Sequence, residues 1–153
     1  MELRAELRPP AVPAERLAWL CAEIERIEAV IREGTDEEVE AALAAFNAET
    51  GHAFTELDLH EYWGACSVEE LALCAARPAR PRVPDITRDE LVEILRRIMD
   101  GDPESDYYAL ILQTNVPNPR VLDLVFGRLP EELRDAGPEE LLDAALAYRP
   151  IAL

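Results

Sequence analysis

Lysine is missing altogether from this chain of 153 residues: its fifteen basic side chains are all arginines, set against 32 aspartates and glutamates. The arginine usage reads as a trait of codon composition. The net charge of −17 is spread over both halves of the chain. Such a field repels nucleic acid, whose phosphates need basic groups to neutralise them. It favours a basic protein partner and speeds encounter with one. Glycine is sparse too: six are scattered through the sequence, and none sits in a loop of the kind that cradles phosphate. Ser67 and Ser105 are the only serines and stand at predicted helix starts, where capping explains them. Two histidines, His52 and His60, are too few for a triad or a histidine-rich metal site. Paired acids abound, but a chain this acidic must have pairs. An enzyme would have to assemble its site from scattered carboxylates, and no enzymatic activity is expected.

Cys21, Cys66 and Cys74 are an odd number in a chain without a visible secretory signal, which predicts free thiols. Together with the histidines they lack the close Cys-x-x-Cys or His-x-x-x-His spacing of a zinc site, so neither metal nor cofactor is expected. No apolar run approaches the length that crosses a membrane. Met1–Pro10 is charged and leads into no apolar core, unlike a signal peptide. These absences predict a cytoplasmic protein with neither a membrane nor nucleic acid as partner.

What is present is helical. Nearly half the chain is apolar and 31% is charged, an ordinary balance for a soluble domain. Residues 1–12 carry Pro9 and Pro10 and read as an arm, extended or loosely docked. From Pro13, the residues Leu17, Leu20, Ile24, Ile27 and Ile31 recur at three- and four-residue steps, an amphipathic helix closed by Gly34. Thr35-Asp36-Glu37-Glu38 opens a second helix with a capping box, and Ser67-Val68-Glu69-Glu70 opens a fourth. Between them Thr55–Leu59 begins a short segment reaching Tyr62 and Trp63. Three prolines then make residues 79–85 and their flanks a stiff linker.

After the linker the pattern starts over. Thr87-Arg88-Asp89-Glu90 is a capping box, with Leu91, Ile94, Leu95 and Ile98 as the stripe and Gly101 as the close. Asp102-Pro103 reads as N-cap and first residue of the next helix. Asn115-Val116-Pro117-Asn118-Pro119 forbids continuation, and a short apolar segment follows with Asp123 set between two leucines. Ile24, Ile27, Ile31 and Gly34 match Leu91, Ile94, Ile98 and Gly101 at one offset, and Glu69-Glu70-Leu71 matches Glu139-Glu140-Leu141. The expected fold is therefore all-α: two four-helix units in tandem, residues 13–78 and 86–153, packed as a pseudo-dimer.

The run from Thr87 to Gly101, the Asp123 segment, Pro138-Glu139-Glu140-Leu141-Leu142 and Ala147-Tyr148-Arg149-Pro150-Ile151 follow one another in an order that resembles the small helical immunity proteins of the colicin and pyocin nuclease bacteriocins. The resemblance spans roughly residues 86–153, with residues 13–78 as a second such unit. It implies a protein that binds and neutralises a basic nuclease toxin domain. In that family an acidic second helix supplies specificity, and an aspartate with tyrosines on the third helix forms the constant contact surface. By the resemblance Asp123 takes the place of that aspartate and Phe126 of the first tyrosine, while Gly127 and Arg128 replace the second tyrosine and the proline. In the first unit Asp58 matches, and Tyr62 and Trp63 offer two aromatics displaced by one position. The binding surface has then either moved to the first unit or degenerated in the second. Specificity would fall to Glu37, Glu38, Glu40 and Glu49 in one unit and to Glu104, Asp106, Tyr107 and Tyr108 in the other. Tyr107 and Tyr108 are adjacent, so a helix with one buried stripe leaves one of them exposed. A helical scaffold built for self-association is the competing expectation.

Overall fold

A computed structural model describes residues 2–118, 121–126 and 131–147. Among them the chain forms eight α-helices: α1 (Ala14–Glu33), α2 (Asp36–Thr50), α3 (Glu56–Ala65), α4 (Val68–Ala76), α5 (Arg88–Met99), α6 (Ser105–Asn115), α7 (Val121–Phe126) and α8 (Pro138–Leu146). No strand occurs among the described residues. The chain divides into two compact units, Pro10–Ala79 and Arg80–Leu153, the second of which also includes Met1–Pro9.

In the unit Pro10–Ala79, α1 packs on α2 and α4. Its stripe supplies Leu20, Ile24 and Ile27 to the core, which Phe46, Leu59 and Leu71 complete. Thr35 Oγ1 accepts the Glu38 N–H at 3.2 Å, and Ser67 Oγ accepts that of Glu70 at 3.2 Å. Gly34 ends α1 with an extended backbone, and its N–H reaches Val30 O at 2.7 Å. A side chain there would bring a Cβ within 2.7 Å of that same carbonyl, so glycine is required by close approach. Gly51 ends α2 differently, in the left-handed region at φ 74°, which glycine enters without a Cβ penalty.

In the unit built from Arg80–Leu153, α5 packs on α6, α8 and α7. Its N-terminal box is complete: Glu90 N–H donates to Thr87 Oγ1 at 3.2 Å and Thr87 N–H to Glu90 Oε1 at 2.9 Å. Ile27 of α1 and Ile94 of α5, equivalent in the sequence repeat, are both 0% exposed. The first helix of each unit thus contacts the second and fourth of its own unit.

Three segments differ from expectation. The arm is no loose appendage: Leu3 and Leu7 are buried in the core of the Arg80–Leu153 unit, around one turn of 3₁₀-helix at Ala5–Leu7. Arg4 fixes it, donating from Nε to Glu90 Oε2 at 2.6 Å and from Nη1 to Asp85 Oδ2 at 3.0 Å. Within residues 79–85, Pro81 and Val83 are buried as well. Asn115 clamps them, donating to Pro81 O at 3.0 Å and accepting Val83 N–H at 2.8 Å, which satisfies backbone groups that no helix pairs. Finally, α6 begins at Ser105 and not at Pro103, because Asp102 closes a turn first: its Oδ1 accepts the Glu104 N–H at 2.8 Å and its carbonyl accepts that of Ser105.

Candidate partner-binding surface

Residues 52–54 make the corner that aims α3, and Asn47 fixes it by exchanging two 2.9 Å hydrogen bonds with the backbone of Phe54. His52 stacks on the Phe54 ring at 4.8 Å and donates from Nε2 to Arg77 O at 2.7 Å. Thr55 then caps α3 reciprocally. Asp58 N–H donates to Thr55 Oγ1 at 3.1 Å, and Thr55 N–H donates to Asp58 Oδ2 at 2.9 Å. Asp58, expected to be an uncapped contact residue, is the third residue of a capping box and half-buried. Its physical role is to satisfy an orphan helix N–H.

Tyr62 and Trp63 turn inward too. Both are half-buried against the core of their unit. The Tyr62 hydroxyl lies 4.0 Å from Cys74 Sγ, and burial pushes its pKa up to about 12. Trp63 meets the His60 ring edge-on at 4.8 Å, and its buried Nε1 has no hydrogen-bond partner among the described residues. The outward face of α3 is Leu57, His60, Glu61 and Gly64, spaced at i, i+3, i+4 and i+7, with Leu57 65% exposed. That register follows from Leu59 being the buried residue of the helix.

In the second unit Asp123 is exposed on α7, as is Asp106 on α6. The side chain of Phe126 lies outside the described residues, as do Gly127 and Arg128. Glu104 is half-buried at the N-cap of α6. Tyr107 and Tyr108 are both buried, at 7% and 3% exposure, which corrects the expectation that one faces solvent. Helix α6 has neighbours on two sides, α5 and α7, and so buries a wider arc than a single stripe. Tyr108 gains a partner there: Arg97 Nη1 donates to its hydroxyl at 3.0 Å. Asn118 is buried and donates to Ala145 O at 3.1 Å, so the proline corner is tied inward by its asparagines.

The acids are unevenly shared. Residues 10–79 hold fifteen acids against four arginines, a balance of −11, while the other unit carries the remaining −6. On α2, Asp36, Glu37, Glu38, Glu40 and Glu49 are all exposed. Glu49 pairs with Arg16 at 3.0 Å, whereas no cation engages Asp36, Glu37 or Glu40 among the described residues. A cleft of about 360 Å³ beside α5 is lined by Arg88, Asp89, Val92, Glu93, Arg96 and Glu139. Its arginines are already matched, Arg88 with Asp143 at 3.0 Å and Arg96 with Glu93 and with Asp100 at 3.3 Å. Among the described residues no three metal-binding side chains converge, and no helix is long and apolar enough to cross a membrane. The sequence pattern had not singled out Trp19, an exposed indole on α1 that stands off the apolar stripe. Its position off that stripe was the available signal.

No family model, no curated protein and no solved structure matches this chain, so the likeness to the immunity proteins rests on the sequence pattern alone.

Proposed function

We propose that this chain is a bacteriocin-immunity-like protein that binds and neutralises a basic toxin domain, a nuclease by the family pattern. The observation that supports it is the concentration of uncompensated acid on the unit Pro10–Ala79, above all Asp36, Glu37 and Glu40 on the solvent face of α2. Exposed carboxylates without internal partners do little for folding and leave a strong field for a cationic surface to meet. The contact surface differs from the one expected from sequence. Asp58, Tyr62 and Trp63 serve α3 and its core, so α2 and the outward stripe Leu57, His60 and Glu61 take their place.

The test is inhibition. Purified colicin- and pyocin-type nuclease domains, and the product of any nuclease reading frame beside this gene, would be assayed for DNA and RNA cleavage with and without the chain. Stoichiometric inhibition of one of them, lost in Glu37→Lys/Glu40→Lys, is the expected result. Absence of inhibition across the set, with salt-insensitive self-association of the chain, would replace this function with the scaffold alternative.

A further inference from the structure

We infer that the flank of α1 around Trp19 is the anchor on which a basic protein surface docks, an inference that rests on the toxin-binding function above and gives it a location. Trp19 is 42% exposed, in a unit whose other tryptophan is half-buried. It is also held. Arg16 Cζ lies 4.9 Å from the centre of the indole. Arg16 is itself fastened to the last turn of α2, donating from Nη1 to Glu49 Oε1 at 3.0 Å and from Nη2 to Glu49 O at 3.3 Å. A guanidinium tied to a second helix therefore supports the ring, which reduces the entropy lost when a partner covers it.

Charge selects the occupant. Glu15 lies one turn before Trp19 on the same flank of α1, exposed and engaged by no cation among the described residues. Glu23, one turn after, is paired with Arg26 at 2.9 Å and Glu49 with Arg16 at 3.0 Å, and the unit as a whole carries −11. A lysine- or arginine-rich surface meets Glu15 and the surplus acid of the unit, while an aliphatic stem covers the face of the indole that Arg16 leaves open. A second copy of this chain is disfavoured, since each copy carries −17, and nucleic acid is repelled by the same field. Tryptophan is also the residue type over-represented at the centre of interfaces.

Isothermal titration of the full chain with an arginine-rich peptide at low salt tests this. Trp19→Ala is expected to weaken binding by about tenfold or more, and Trp19→Phe by less. The exposed position of Trp19 leaves the fold intact, which circular dichroism checks. If Trp19→Ala binds like the parent while Glu37→Lys/Glu40→Lys abolishes binding, the Trp19 anchor is wrong and the acidic-surface function stands. If the peptide does not bind the parent at all, the Trp19 anchor falls, whereas the toxin-binding function falls only if the chain also inhibits none of the nuclease domains.

Discussion

Asp58 illustrates how one carboxylate near aromatic residues serves its own helix. Its Oδ2 takes the Thr55 N–H at 2.9 Å, and Thr55 Oγ1 returns the bond to the Asp58 N–H. Thr55→Ala and Asp58→Ala should each lower stability in urea by about 1 kcal/mol, the usual worth of a cap. Glu90 carries a second single-residue consequence. The Arg4 guanidinium, with help from Thr87, holds its carboxyl below the ordinary range despite burial, and Arg96 does the same for Glu93. A depressed folded pKa means the unfolded chain binds the proton more readily. This stabilisation is therefore full above an ordinary glutamate pKa of about 4.3 and is lost as pH falls through the depressed value. Thermal unfolding of Glu90→Gln should thus lose less Tm than the parent on acidification below about pH 4. Comparison with the parent matters, because protonating the exposed acids also relieves self-repulsion.

At the scale of elements, periodicity carried the helices and failed at their connections. The α1 and α5 stripes were legible because one face of each is apolar at a 3.6-residue period and the other charged. Ile27→Ala and Ile94→Ala should each cost about 2–5 kcal/mol in equilibrium unfolding, since both are fully buried. The connections depend on tertiary partners that no local pattern announces. Nothing beside Asn115 says that it will clamp Pro81 and Val83, which lie 34 and 32 residues away. Likewise Leu3 and Leu7, bracketed by charges and prolines, give no period from which to infer burial. Removing residues 1–9 should therefore destabilise the Arg80–Leu153 unit and leave the Pro10–Ala79 unit untouched, as hydrogen exchange of α5 against α1 would report. The double burial of Tyr107 and Tyr108 has the same origin: two neighbouring helices, not one, decide what α6 hides.

For the whole molecule the acidic field is the feature on which the proposed function rests, and amino-acid composition alone is enough to reveal it. What composition lacks is the distribution of that charge, −11 on residues 10–79, and the identity of the acids that no arginine offsets. Those depend on which side chains meet in the fold. A protein that captures a basic toxin through such a field associates by electrostatic steering, and steering is screened by salt. The most direct measurement is the association rate with a nuclease domain that the chain inhibits, followed by stopped flow from about 0.02 to about 0.5 M ionic strength. The rate constant should fall by about tenfold or more over that range, with the dissociation rate changing far less. An association rate indifferent to salt, or unchanged in Glu37→Lys/Glu40→Lys, would contradict capture by the acidic surface.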